Sequence, residues 1–267
     1  MRHLVPGIKR SPLVNVVRLS GVIAPGRRLG SATLNDASIA PVLERAFSKG
    51  RPAAVALAVN SPGGSPVQSA MIGARIRRLS LEKSVKVYAF CEDVAASGGY
   101  WVASSADEIY VDASSVVGSI GVISASFGFH GLMERYGVER RVHTAGDDKS
   151  MLDPFRPERA GDVERLKKIQ ARIHAAFIEH VKARRGVRLT DENLFTGEIW
   201  VGDRAVEVGL ADKIGHLVPV MKEEYGDKAR FNVMGQHQSL LARFGPGAVA
   251  DVFGMAEDRA LWARYGV

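Results

Sequence analysis

An α/β fold with mostly parallel strands is what this sequence predicts, and three observations predict it. Short apolar runs of strand length alternate with segments whose apolar residues recur at helical spacing. One of the runs, residues 53–59 (AAVALAV), is apolar throughout, as expected of a strand covered on both faces. Two of the strand-to-helix junctions are built of small residues, NSPGGS at 60–65 and DVAASGGYWV at 93–102, where the backbone can turn sharply.

The elements follow in order. Residues 13–19 (LVNVVRL) read as a first strand, continued by 21–23 to a turn at Pro25-Gly26. Asp36 caps a helix with Ile39, Val42, Leu43, Ala46 and Phe47 inward, ended by Gly50 and Pro52. After the 53–59 strand and its glycine turn, Met71, Ile72, Ile76 and Leu79 mark a second helix. Residues 85–90 form a strand leading to Ser97 and a helix; 108–111 and 120–123 are short strands around the loop 114–119. A further strand is expected at 138–144. A long helix follows at 162–185, with Leu166, Ile169, Ile173, Phe177 and Val181 inward and Gly186 as its stop. Thr190 caps a short helix toward Phe195, and Gly209 ends a helix through Ala205 and Val208. Residues 218–224 are helical and 230–234 a last strand. Beyond Pro246-Gly247 an amphipathic helix carries Val249, Val252, Phe253, Ala256 and Leu261. This divides the chain into a domain of residues 1–225 and a C-terminal extension of residues 226–267 with that helix.

Composition narrows the function classes. The 267 residues are 46% hydrophobic, enough for a substantial core. The one cysteine, Cys91, excludes an internal disulfide or a cysteine zinc cluster and reads as a buried, inert thiol. The seven histidines include no H-x-x-x-H pair, so no metal site and no cofactor are expected. The net charge of +7 is dispersed over solvated helix faces without a nucleic-acid motif, which argues against a nucleic-acid partner. No run of 18 apolar residues and no secretory h-region occurs. A cytoplasmic location, peripheral to the inner membrane at most, is therefore the expectation.

The chemistry centres on Ser97. A serine at a strand-to-helix turn, followed by Gly98 and Gly99, presents its hydroxyl beside an outward NH, the arrangement of a nucleophile elbow. The alternative is an N-cap serine before closely packed glycines. Likewise Gly63-Gly64 serves either an ordinary Pro-Gly turn or a loop that brings backbone NH groups up to a ligand. A serine nucleophile needs a base. His130 or His143 with Asp147 or Asp148 is one assignment, although His130 among Phe127, Phe129 and Leu132 reads as packed. A lysine is the other. Its ammonium, ordinarily titrating near pH 10.4, must then give up its proton near neutrality, at a cost of about 4 kcal/mol that partial burial supplies. The neighbours of Lys149 in sequence, Asp147 and Asp148, oppose this unless they point away.

Four motifs in register decide between these. Ser61-Pro62-Gly63-Gly64, Ala96-Ser97-Gly98-Gly99-Tyr100, Val117-Gly118-Ser119-Ile120-Gly121 and Gly146-Asp147-Asp148-Lys149 together resemble the signal peptide peptidase A family of bacterial serine proteases. Thr196-Gly197-Glu198 and AVEVGLAD at 205–212 resemble its SohB-type branch. The resemblance covers roughly residues 13 to 215. It implies a Ser/Lys dyad of Ser97 and Lys149, Ser119 orienting the lysine, an oxyanion hole of the Gly64 and Gly98 amides, and peptide contacts at Gly63 and Gly99. It also implies the Clp/crotonase-like spiral of β-β-α units, and a homo-oligomeric ring in which serine and lysine come from adjacent subunits. The substrates implied are hydrophobic or unfolded peptides such as signal-peptide remnants. A crotonase-type acyl-CoA enzyme and a catalytically silent peptide-binding scaffold are the alternatives on the same fold.

Overall fold

The computed structural model describes residues 11–26, 33–146, 149–190, 192–235 and 259–266. In chain order the elements are β1 (Leu13–Ser20), α1 (Asp36–Ser48), β2 (Ala54–Ser61), α2 (Pro66–Lys83), β3 (Lys86–Ala96), α3 (Gly98–Ala103), β4 (Glu108–Val111) and β5 (Val116–Gly118). Then come α4 (His130–Arg135), α5 (Ala160–Arg185), two 3-10 turns, β6 (Ile199–Val201), α6 (Gly202–Glu207), β7 (Lys213–Ile214), α7 (Leu217–Tyr225) and β8 (Arg230–Met234). The sheet runs β6-β5-β3-β2-β1-β8, with β4 beside β3 and β7 beside β4. Every pairing is parallel except that of β5 with β6.

The central strands are apolar on both faces because both faces are covered. Val55, Leu57 and Val59 belong to the core under the helices, with Ile39, Leu43, Ile72 and Ile76. The alternate residues Ala54, Ala56 and Ala58 face a second cluster with Val14, Val16, Tyr88, Phe90 and Met221. The period of two in the pleat thus sorts one apolar run into two cores.

Strand β3 organises the spiral. Its Tyr88–Cys91 stretch pairs with β4 and its last three residues, Val94 to Ala96, pair with β5. Against β2 the register jumps: Val59 faces Cys91 but Ser61 faces Ala95, so β3 carries two extra residues. Asn60 bridges the gap, donating to Asp93 Oδ2 at 2.7 Å and accepting from the Val94 amide at 3.2 Å. A bulge of this kind re-aims the end of a strand, and here that end is Ser97.

Several expectations need correction. The cap of α1 is Asn35, in a reciprocal box with Ser38; Asp36 instead holds Arg75 in a two-pronged ion pair of 2.7 and 2.8 Å. The strand expected at 120–123 lies at β5, inside the expected loop, because Gly118 and Ser119 take positive φ and end it there. Residues 138–144 form no strand, having no ladder partner. The Thr190 hydroxyl donates to the Glu207 carbonyl at 2.9 Å. On α5 only Phe177 and Val181 of the expected inward residues are buried, while Ile169 is 44% exposed. In the first half of that helix Asp162 is buried, Leu166 and Ile173 are half-buried, and Ile169 is left exposed among the described residues. The boundary after residue 225 falls just ahead of β8, which lies in the sheet beside β1. Of the expected tail helix, Val249, Val252, Phe253 and Ala256 lie outside the described residues, and Leu261 is half-buried.

Candidate active site

The site is assembled at the carboxyl ends of β2, β3 and β5, where parallel sheets bring loops together. Ser97 is the first residue after β3 and has φ 52° and ψ −122°, a backbone conformation non-glycine residues rarely hold. Strain of that order persists only where the surroundings enforce it. Here they do: the Ser97 amide donates to the Gly118 carbonyl at 2.8 Å, and the Ser97 carbonyl accepts from Trp101 at 3.0 Å. Its side chain makes no capping hydrogen bond to α3. Ser97 is half-exposed between buried Ala96 and buried Gly98.

The glycine turn after β2 lies directly against this serine. A Cβ on Gly63, which has φ +95°, would sit 2.8 Å from Ser97 Cβ and 2.6 Å from the Gly98 nitrogen. One on Gly64 would run into the Ile23 carbonyl, and one on Gly98 into Ser69 Oγ, within 3.3 Å of the Gly64 nitrogen. The Gly63-Gly64 backbone therefore packs closely against Ser97 and Gly98, and neither the Gly64 nor the Gly98 amide donates one of the hydrogen bonds found among the described residues. Gly99 is buried, and its missing side chain lets α3 rest on the Ser61 carbonyl. Two free amide donors beside a raised hydroxyl can receive a developing oxyanion.

Ser119 joins them. Ala96 and Gly118 are register partners, so Ser97 and Ser119 each stand one residue beyond a matched pair. Ser119 has φ 50°, is 8% exposed, and its amide donates to the Glu198 carbonyl at 2.7 Å. Two features here have no signature in the sequence. His174 on α5 reaches the Ile120 carbonyl at 3.0 Å, and the Tyr265 hydroxyl donates to Ser119 Oγ at 3.2 Å. Also on α5, His180 stacks on Trp101 and contacts the Trp101 carbonyl and Ser104 hydroxyl, each at 3.1 Å. Burial pushes its imidazole down to about 4, so it is neutral and fixes α3 rather than taking protons.

Lys149 makes no hydrogen bond with this cluster within one chain. It is exposed, its amide donates to the Gly146 carbonyl at 3.3 Å, and its side chain makes no hydrogen bond or ion pair with any described residue. Asp147 and Asp148 lie outside the described residues. His130 is exposed rather than packed, and His143 is exposed as well. Lys149 belongs to a largely exposed arm, described over residues 121–146 and 149–158, which carries a surface cluster of Phe127, Phe129 and Phe155 with Arg140 over the last ring. Cys91 behaves as the sequence suggests: it is buried, and desolvation raises its thiol to about 12.

Comparison with known proteins agrees with this architecture. The profile of peptidase family S49 matches residues 80–228. The chain is 31% identical over 215 residues to the putative protease MJ0651 of Methanocaldococcus jannaschii, covering 75% of this chain and 68% of that one. It is 30% identical over 192 residues to the probable protease SohB of Haemophilus influenzae, covering 72% and 54%. A protein of Brucella melitensis named Na(+)/H(+) antiporter NhaA is 47% identical over 271 residues, covering 95% of this chain but 37% of its own length. The chain thus spans little more than a third of that relative. Among solved structures, a variant of the 1510-N membrane-bound stomatin-specific protease aligns with a TM-score of 0.50 at 12% identity, over 86% of this chain and all of that one.

Sheet topology and structural likeness together define a mixed α/β protein with a central sheet, similar in fold to that protease. The chain belongs to peptidase family S49, the family of signal peptide peptidase A.

Proposed function

We propose that the protein is a serine endopeptidase in which Ser97 is the nucleophile and Lys149 of a neighbouring copy is the general base. The observation that carries this reading is the strained, half-exposed Ser97 facing two unused amides, Gly64 and Gly98. In the proposed cycle Ser97 Oγ attacks the scissile carbonyl and passes its proton to Lys149 Nζ, which returns it to the leaving amine. The two amides hold the tetrahedral oxyanion, and Ser119 orients the lysine. The substrate peptide lies extended along Gly63-Gly64 as an added strand, with Gly99 packed behind. Hydrophobic or unfolded peptides, signal-peptide remnants among them, are the proposed substrates.

Delivery of the lysine from a second copy accounts for three features at once. Lys149 has no partner among the described residues of its own chain. The arm that bears it displays Phe127 79% exposed and Tyr136 71% exposed. The first half of α5 leaves Ile169 uncovered. Apolar surface of that extent on one arm is a contact surface, and a ring of copies would cover it. Among the described residues no helix is long and apolar enough to cross a membrane, and peripheral membrane contact from the cytoplasmic side remains part of the proposal. The protease domain, 1–225 with β8 joined to it, and the remaining extension are the proposed functional parts.

The test is turnover of a fluorogenic peptide by purified Ser97→Ala, Lys149→Ala and their mixture. Each variant alone should be inactive and the mixture should regain activity, because a mixed ring contains interfaces with both intact residues. Full activity of either single variant would sink the dyad. Two dead variants that stay dead on mixing and subunit exchange would confine the dyad to one chain.

A further inference from the structure

We propose that the C-terminal tail is a latch on this site, with the Tyr265 hydroxyl holding the position on Ser119 that Lys149 must take for catalysis. The proposal rests on the Ser97/Lys149 reading above.

Residues 259–266 return to the carboxyl ends of the strands although they lie 146 positions beyond Ser119 in the case of Tyr265. There the tail docks: Leu261, Trp262 and Tyr265 are half-buried while Arg259, Ala260, Ala263 and Arg264 face solvent. A turn, closed by the Tyr265 amide on the Trp262 carbonyl at 2.9 Å and the Gly266 amide on the Ala263 carbonyl at 3.2 Å, aims the ring inward. The phenol then donates to Ser119 Oγ at 3.2 Å.

Ser119 is a poor place for two visitors. A hydroxyl offers one donor and two acceptor positions. Ser119 is 8% exposed, so little of its surface is open to an incoming group. Its main chain is held by the bond to the Glu198 carbonyl and by the Gly121 amide on its own carbonyl at 2.9 Å. In the proposal an amine reaching Ser119 needs the same small opening that the phenol occupies. The tail and the lysine are therefore alternatives: one chain alone has its tail seated and its lysine away, and assembly or an incoming peptide must displace the phenol. A two-state device of this kind needs only a difference in how well each occupant binds.

Full-length wild type, Tyr265→Phe and Tyr265→Ala are compared by kcat/KM on a fluorogenic peptide and by the rate of fluorophosphonate labelling of Ser97. Tyr265→Phe removes one hydrogen bond and should raise both rates about 3- to 10-fold; Tyr265→Ala removes the ring as well and should raise them further. A synthetic peptide of residues 259–267 should slow Tyr265→Ala competitively with substrate, and the same peptide with phenylalanine for tyrosine should do so more weakly. A tail that merely braces the site would give slower variants, and slower or unchanged variants overturn the latch. If Ser97→Ala is inactive while the Tyr265 variants are no faster, the latch alone fails. If Ser97→Ala keeps full activity, the catalytic reading fails first.

Discussion

Ser97 and Ser119 stand side by side because the Ser97 amide donates to the carbonyl of Gly118, the residue just before Ser119, at 2.8 Å. That bond joins the ends of β3 and β5 and sets both serines at positive φ. Gly63 closes the same place from the β2 side, with no room for a methyl group. Gly63→Ala should therefore push on Ser97 and on the Gly98 amide. The expected outcome is a fall in kcat of on the order of 100-fold or more, the scale of a lost oxyanion donor. Steady-state kinetics with circular dichroism as a check on folding would measure it, and a value near wild type would remove the glycine loop from the site.

The exposed arm makes a second prediction. Phe127→Glu places a charge on the most exposed ring of the aromatic cluster without touching a buried residue. The proposed assembly should dissociate in analytical ultracentrifugation, and peptide turnover should fall with it. The melting temperature of the dissociated chain reports whether the fold survived. Retention of both assembly and turnover would free the arm from that role.

The Arg185 guanidinium is buried, donates to Asp212 at 2.8 and 3.1 Å and to the Gly209 carbonyl at 2.9 Å, and thereby ties α5 to the segment leading into β7. Asp212 also accepts from the Ile109 amide at 2.7 Å. Arg185→Ala takes the buried guanidinium from Asp212, which keeps the Ile109 amide and Arg188 at 3.4 Å, and leaves the Gly209 carbonyl without this donor. Breaking a buried pair in this way typically costs about 3–5 kcal/mol, which denaturant titration would read as a large drop in midpoint.

Stability should fall in acid ahead of general carboxylate protonation. The imidazole of His180 is lowered from 6.5 to about 4 by burial, next to the Arg184 charge. Between those values the unfolded chain takes up a proton that the folded chain refuses, so stability is full above pH 6.5 and is lost as pH falls to about 4. The size is roughly 3 kcal/mol. In His180→Gln the difference in unfolding free energy between pH 7 and pH 4.5 should shrink by a corresponding amount; an unchanged pH profile would count against a buried neutral imidazole.

Most of the sheet was legible in the chain because its strands are either apolar throughout, as at β2, or bounded by turn residues, as at β1 and β4. β5 escaped because three residues between Ser115 and Ser119 carry no periodicity of their own; their strand character comes from β3 and β6. Residues 138–144 misled for the opposite reason: Val138, Val142 and Thr144 have strand preference but no ladder to join. Of the site, Ser97 and the paired glycines were visible as small residues at strand-to-helix junctions. The close packing of the Gly63-Gly64 backbone against Ser97 and Gly98 depends on the register jump at Asn60, which no local pattern encodes. Tyr265 was invisible for a simpler reason: a phenol far along the chain becomes a neighbour of Ser119 only through tertiary structure.

The register jump also constrains how the length of this strand can change. β3 gains two residues over β2, an even number, so Cys91 before the jump and Ala95 after it still face the same core. Loss of one residue at Glu92 or Asp93 would invert every later side chain of the strand, with the end of β3 no longer presenting Ser97 as it does here. Length changes at this point are tolerable only in pairs, a parity rule that a lineage can obey or break but cannot halve.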